Sequence, residues 1–390
     1  MKNVFLTALA SLVGSISAVG VVGQAEGFAA GVTGGGSATP QYPKDINELT
    51  KWLTDATPRV IVLDKTFDYT TSEGTVTGTA CANWGTGAKC QRILLDKCDA
   101  GVTKETVTYN KAAKSPIKVA SNKSIIGIGS KGIIKGKGLS FASKNVIVQN
   151  IQVSDLNHKY VWGGDALSFS GADLIWIDHV TTARPGRQHY VFGFDPSTRV
   201  TLSSNFINGA SDYATGCDGY HYWVFEMVGK GDTITMKNNY ITKTAGRGPA
   251  LSGSTLLHAV NNVWEDVKGH VLEGGDATAR GIFEGNVFKD VRTVVADYSG
   301  KLFGSPDAST NEQCKTALGR ACQANLAQGT TTTMNVLTQR KDTGFFGEFS
   351  GKKTAGAQAA SAVASRIPKG AGVGKIPALA ARSASMRFRE

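Results

Sequence analysis

Six short stretches of the chain end alike: VIVQNI (146–151), IWIDHV (175–180), TLSSNF (201–206), TMKNNY (235–240), HAVNNV (258–263) and IFEGNV (282–287). Each alternates apolar and polar residues, the period of a strand, and closes on Asn or His followed by an apolar residue. The shared positions are Asn150, His179, Asn205, Asn239, Asn262 and Asn286, separated by 29, 26, 34, 23 and 24 residues. Those intervals are too short for independent domains and suit one coil of a solenoid with loops of variable length. A single coil cannot bury its apolar face, but stacked coils cover one another. An asparagine at the same corner of each coil can bond its neighbours and satisfy the backbone at the bend. The pattern therefore predicts an all-β chain, a right-handed parallel β-helix whose long loops form a cleft on one face. The 47 glycines and a charged fraction of only 19% agree with a turn-rich β protein.

The irregular intervals place the loops. The longest, between Asn205 and Asn239, carries SDYATGCDGYHYW, and the next begins with TAGRGPALSG (244–253). Insertions in repeat proteins cluster on one face, often the binding face. Ahead of the repeats, the first half of KDINELTKWLTDATPRVIVLDKTF has helical spacing and is expected to cap an open end of the stack. The expected division is a secretory signal over 1–18, one β-helix over 19–376, and a loose tail over 377–390 rich in Ala and Ser. Lys2, the apolar stretch from Val4 and the small residues around Ala18 carry the signal reading, and so a secreted, extracellular location. No later segment approaches ~18 uninterrupted apolar residues, which argues against a membrane span. Cys81, Cys90, Cys98, Cys217, Cys314 and Cys322 all follow the signal, and an even count in an exported chain suggests disulfides in one of many possible connectivities. Asn122 opens the one N-glycosylation sequon.

A net charge of +11 points to an acidic partner. No long basic run with interleaved aromatics occurs, so an acidic or partly acidic polysaccharide ranks ahead of nucleic acid. Gly127, Gly129 and Gly132 match G-x-G-x-x-G, but β-like residues follow where a dinucleotide site needs a helix, so these are turn glycines. Asp173 and Asp178 lie in a turn and a repeat strand and read as structural. Asp165, after an aromatic and two glycines in KYVWGGDALSFS, is the best acidic candidate. Arg184 and Arg187 flank a Pro-Gly turn in TTARPGRQHYVFG, and Arg187 falls close to one coil after Asp165. Arg247 stands alone in its small-residue turn. Trp84, Trp162, Tyr222 and Trp223 are the residue types that stack on apolar sugar faces.

These segments, together with AEGFAAGVTGGGSATP, RVIVLDKTFD, VWGGDAL, WIDHVTTARPGRQHYV, CDGYHYW, LLHAVNNVW and GNVF, resemble the pectin lyases of the pectate lyase superfamily, polysaccharide lyase family 1, from about Val19 to Ile376. The resemblance implies the same β-helix, no cofactor, and methyl-esterified pectin cut by β-elimination. It assigns Arg247 as the catalytic base, with Asp165 and Arg187 as its companions. It also implies the bridges Cys81–Cys98, Cys90–Cys217 and Cys314–Cys322. A substrate-binding cleft is expected from Trp84, Trp162, Tyr222, Trp223 and Arg184, in a monomer. Related pectate lyases hold calcium with several carboxylates, whereas the corresponding loop here offers Arg184 and Arg187, so no metal is expected. One departure stands out: the family pattern G-R-x-P-K ends here in Ala250. A calcium-dependent pectate lyase and an inactive pectin-binding β-helix are the alternatives.

Overall fold

The alternating stretches form strands, and in the computed structural model, which describes residues 19–329 and 334–379, they stack in parallel. A first face runs Arg59–Leu63, Lys123–Gly127, Lys144–Gln149, Asp173–Asp178, Thr198–Ser203, Thr233–Lys237, Leu256–Val260 and Arg280–Glu284. After a tight corner, Gln152–Leu156, Thr181–Pro185, Phe206–Asn208 and Tyr240–Thr244 build a second face. Longer excursions lead to a third: Leu139–Phe141, Leu167–Phe169, Tyr190–Phe192, Phe225–Met227 and Ala250–Leu251. Val263–Gly274 is long enough to pair with the second face through its first half and with the third through its last residues. The result is the expected parallel β-helix.

The inward side chains of one coil cover those of the next. Phe141, Phe169 and Phe192 stack with centroids 5.0 and 4.6 Å apart, and Trp264 stacks on Phe288 at 5.2 Å. Each full burial of a side chain of this size stabilises by about 2–3 kcal/mol, which is how a stack of short strands acquires a core.

At the corner between the first two faces, the strand register shifts the expected ladder by one position in two coils. Gln149 pairs with Asp178 and Asp178 with Ser203, so Asn150 and His179 align with Ser204, one residue ahead of Asn205. The ladder is Asn205, Asn239, Asn262, Asn286 and, beyond the sequence motif, Asn325. After the first, each Oδ1 accepts both the backbone N–H and the Nδ2 of the preceding member, as in Asn239 N and Nδ2 to Asn262 Oδ1 at 3.0 and 2.8 Å. Asn150 and His179 instead occupy the left-handed position that starts the bend, at φ 59° and 50°. Both positions favour Asn, one because its amide fits the ladder and the other because it tolerates a left-handed backbone. That shared preference is why the sequence motif merged them.

Helix Ile46–Thr54 covers one end of the stack, as expected, with Asp45 accepting from the Asn47 and Glu48 N–H groups and Leu49 and Leu53 buried. Gly127, read as a turn glycine, must lack a side chain: a Cβ there would stand 2.0 Å from the Asn150 carbonyl oxygen. The C-terminal region returns along the ladder corner. Gln358 N–H donates to Asn261 Oδ1 at 2.8 Å and Gly374 N–H to Asn150 Oδ1 at 2.7 Å. Leu379 is buried with Ile376 against Val62, Ile126 and Ile128, so packed chain extends past the expected boundary at 376. Residues 1–18 and 380–390, with the signal and most of the tail, lie outside the described residues. No helix among the described residues is long and apolar enough to cross a membrane.

All three bridges pair as the resemblance implies: Cys81–Cys98, Cys90–Cys217 and Cys314–Cys322. Asn122 is half-buried with its Oδ1 accepting from Asn145 Nδ2 at 2.8 Å, and Lys123 and Ser124 of its sequon are fully buried. Asp173 and Asp178 are structural, the first bonded to Arg199 and Thr198, the second to Gln149, Ser203 and His179.

Candidate active site

The excursions that precede the third-face strands deliver the site. Leu167 pairs with Tyr190 and Tyr190 with Phe225, so the segments just before them, carrying Asp165, Arg187 and Trp223, lie side by side on successive coils. Arg247 enters on the next coil, ahead of Ala250, which pairs with Glu226. Sequence positions spread over more than eighty residues thus converge on one groove.

Asp165 grips Arg187 with both oxygens, at 3.0 Å to Nε and 2.8 Å to Nη2, and also accepts the Gln188 N–H at 2.8 Å. This bidentate fork sets the plane of the guanidinium. Burial works against the Arg187 cation. Its bonds to Asp165 and the charges of Asp165 and Glu226 prevail and hold its ionisation above the ordinary arginine value. Arg187 is therefore a fixed positive charge, and the Trp162 ring lies 4.1 Å from its Cζ with 49% of the tryptophan exposed to the groove.

Arg247 occupies a left-handed backbone position at φ 45°. Its Nη1 meets Glu226 at 3.0 Å, and its Nε stands 3.3 Å from Glu273 without hydrogen-bond alignment. Its Cζ lies 4.8 Å from the Trp223 ring. The turn is held from below by Trp264, whose Nε1 donates to the Gly248 carbonyl at 2.8 Å. Gly246 is required because the Tyr222 ring rests on it, and a Cβ would come within 2.3 Å of that ring. Tyr222 in turn donates to Glu273 at 2.8 Å, and burial first, then that bond, pushes its hydroxyl up to about 12, so it stays protonated.

Two carboxylates unseen from the sequence organise this centre. Glu226 accepts from Gln188 at 2.9 Å and stands between the two arginines, 3.4 Å from Arg187 and 3.0 Å from Arg247. Glu273 gathers Tyr222, His270 and Arg247; its burial would raise its pKa, but these partners overcome that and lower it. Glu226, Ala250 and Glu273 are successive members of one column on the third face. Where the related pattern has a lysine, Ala250 leaves the two glutamates to Arg247. The groove does not crowd its cations together, because the Glu226 carboxylate separates Arg247 from Arg187. An isolated Glu inside a strand gives no sequence signal of such a role. It emerges only from the register.

The aromatic candidates divide. Trp162 and Trp223 flank the arginines, Tyr222 packs at 5.0 Å from Trp223, and Trp84 meets Trp223 edge-on at 6.2 Å. The Cys90–Cys217 bridge holds the long loop of Trp223 against the segment of Trp84. Gln91, missed in the sequence, is fully buried and ties these loops together, accepting from Trp223 Nε1 at 3.2 Å and donating to the Gly186 carbonyl at 3.1 Å. Arg184 bonds to Asp155 at 2.6 Å on the second face rather than to this group.

Behind Arg187 sit two buried histidines, His189 and His221, with rings 5.1 Å apart. Burial is the first cause in both: it pushes His189 well below the ordinary value and His221 down to about 4. Neutral His221 donates from Nε2 to the Arg187 carbonyl at 2.7 Å. A histidine whose folded pKa is depressed stabilises the protein fully above the unfolded value and loses that contribution as pH falls through the folded one. His221 alone is expected to withdraw about 3 kcal/mol between pH 6.5 and 4. Buried Asp232, pushed up to about 6 chiefly by desolvation, acts in the opposite sense, so the comparison must isolate the histidine. In urea unfolding at pH 7 and pH 4.5, His221→Gln, which keeps an N–H donor, should lose about 2–3 kcal/mol less than the unaltered chain. Equal losses would refute this account.

A parallel β-helix with two arginines in an aromatic-walled groove agrees with a polysaccharide lyase, the class that family membership shows. The pectate lyase family model matches residues 1–376, and the chain belongs to that family. It is 60% identical over 362 residues to a protein named probable pectin lyase A from Aspergillus flavus, covering 92% of this chain and 95% of that one. It is 51% identical over 385 residues to a probable pectin lyase B from Aspergillus niger, covering 96% and 99%. Among solved structures, a pectate lyase bound to a hexasaccharide superposes with a TM-score of 0.61 at 16% identity, over 90% of this chain and 97% of the other. A Bacillus subtilis pectate lyase variant gives 0.57 at 17% identity, over 91% and 98%. At that identity the structural likeness speaks for the fold.

Proposed function

We propose that the chain is a secreted, calcium-independent pectin lyase that cleaves methyl-esterified polygalacturonan within the chain. The observation that carries this reading is the arrangement of Arg187 and Arg247 on excursions of the third face two coils apart, each beside a tryptophan and each held by carboxylates. In the reaction, a base removes the C5 proton of a galacturonate methyl ester and negative charge spreads onto the ester carbonyl. The C4–O bond then breaks to leave a C4=C5 double bond, and the departing oxygen takes a proton from solvent. Arg187, fixed as a cation by Asp165, suits the carbonyl oxygen, where charge develops. Arg247 is assigned as the base. To act, Arg247 needs a guanidine nitrogen free to take the C5 proton, so substrate entry must loosen its contacts with Glu226 and Glu273.

The donor set does not fit calcium, which takes about 6–8 oxygen ligands. Asp155 is engaged by Arg184, Asp165 by both nitrogens of Arg187, and Glu226 by Gln188 and the two arginines. A neutral ester needs no metal to offset a carboxylate charge, so the Arg187 cation at its carbonyl suffices.

The test is ultraviolet absorbance of the unsaturated product from highly methylated pectin and from polygalacturonate, with and without chelator. Product from methylated pectin that survives chelation is the expected result. Activity confined to polygalacturonate and abolished by chelation would replace this reading with a calcium-dependent one. Binding without product from either substrate would make the chain a pectin-binding β-helix.

A further inference from the structure

The groove leaves the charge of the chain unexplained. Its two arginines are held by Asp165, Glu226 and Glu273, and a neutral ester needs no surplus of cations, yet the net charge is +11. Part of that surplus lies on the other side of the stack. Residues 350–379 contain Lys352, Lys353, Arg366, Lys369 and Lys375 and no Asp or Glu. This segment is a strap along the corner between the first and second faces, away from the third. Ala360, Val363, Ile367, Ile376 and Leu379 are buried beneath it, while all five cations are exposed. Its contacts at Gln358 with Asn261 and at Gly374 with Asn150 are four coil steps apart, about 19 Å at about 4.8 Å per step. Among the described residues none of the five pairs with a carboxylate: Lys352 donates to the Glu348 carbonyl and Arg366 to the Gln358 amide oxygen. The second face beside the strap is different. Its charges are matched, Lys135 with Asp68, Arg184 with Asp155, Lys243 with Asp266 and Lys289 with Glu265. Like charges gathered along one line repel one another unless an anion comes between them.

We propose that the strap is a second, non-catalytic docking surface, and that its partner is the free-acid stretches of a partly esterified galacturonan; this rests on the pectin reading given above. The groove then takes the neutral ester and the back of the solenoid takes carboxylates. An extended polyanion laid along the strap sets its charges beside a line of cations that already face water, so few ion pairs need to be broken to receive it. The chemistry midway along agrees. Arg366 lines a hollow of about 330 Å³ together with Glu26, Lys237, Asn238, Asn261 and Gln358. Lys237 is paired with Glu26, which leaves Arg366 as the surplus charge there. Amides and charges, with no large apolar side chain, suit a hydroxylated anionic sugar and offer nothing to an ester methyl. Holding one stretch of polymer on the strap raises the effective concentration of neighbouring stretches near the protein, without any new contact in the groove.

Calorimetric titration of the full chain with unesterified dodecagalacturonate, with chelator present so that the ligand stays intact, reads this binding. A strap variant combines Lys353→Gln, Lys369→Gln and Lys375→Gln. A control variant combines Lys44→Gln, Lys51→Gln and Lys230→Gln, three exposed lysines off the strap, and so changes the net charge equally. The strap variant should bind about tenfold more weakly and lose most of the salt dependence seen on going to about 0.3 M, while the control changes by less than about twofold. Both should release unsaturated product from a fully methylated hexamer at the unaltered rate, since neither alters the groove, and that rate also shows that they fold. The proposal is overturned if the two variants lose affinity alike, if the fully methylated hexamer displaces the unesterified ligand and so places it in the groove, or if an oligodeoxynucleotide of equal charge binds the strap more tightly. A chain that makes no unsaturated product from any substrate would sink the lyase reading, but this titration would still decide the strap.

Discussion

Arg247→Ala is expected to lower kcat on methylated pectin by roughly a thousandfold, the scale on which a positioned proton-transfer group acts, with KM shifted by no more than a few-fold. The fold should survive the change. Glu226 keeps Arg187 and Gln188, and Glu273 keeps His270 and Tyr222, so neither carboxylate is left without a partner. Arg247→Lys is the sharper variant. It keeps a positive charge but replaces a planar fork reaching two glutamates with a single ammonium, and one point charge cannot reproduce that geometry. Its kcat should fall nearly as far. Product release by either variant at a tenth or more of the unaltered rate, with the circular dichroism spectrum intact, would remove Arg247 from the chemistry and shift attention to Arg187.

Asn262→Ala should destabilise the chain by about 3–6 kcal/mol, because a middle rung leaves several buried groups without partners. The Asn239 N–H and Nδ2 lose their acceptor at 3.0 and 2.8 Å, and the Met236 carbonyl loses the donor that reaches it at 2.9 Å. Bulk water does not reach these groups, since Asn239, Asn262 and Asn286 are all fully buried. The terminal rung is the contrast. Asn325 is only partly buried and has no further rung beyond it, so Asn325→Ala should cost less than half as much. Chemical denaturation of both variants measures the difference. Similar costs would mean that the ladder does not act as a chain of shared acceptors.

The two stability predictions and the catalytic one draw on different kinds of readability. The coil period, the preference for Asn at a bend and the capping helix follow from local chemistry, because a residue's fit to a left-handed corner or a helix start depends on itself and its immediate neighbours. Asp165 and Arg187 stand out by their own sequence context, the resemblance to a known family adds Arg247, and the stack brings all three to one groove. Glu226, Glu273 and Gln91 do not stand out. Each lies in an ordinary stretch, and each acts only through residues brought beside it by other coils. The ladder shows the same boundary in miniature. Two adjacent asparagine-rich positions at one corner look interchangeable along the chain, and Asn325 lies outside any motif, so only strand pairing separates the rung from the bend.

The architecture thus follows from local chemistry: alternating strands recurring every few tens of residues, with polar corners and excursions concentrated before one set of strands, can hide their apolar faces only by stacking. The electrostatic pattern of the groove, by contrast, is a property of the folded stack. Loops of unequal length separate the coils, so a residue's neighbour across the stack cannot be counted from the chain. Register alone placed Ala250 between two glutamates, gave both to Arg247, and set a carboxylate between the arginines that a reading of charges along the sequence would have left as bare cations.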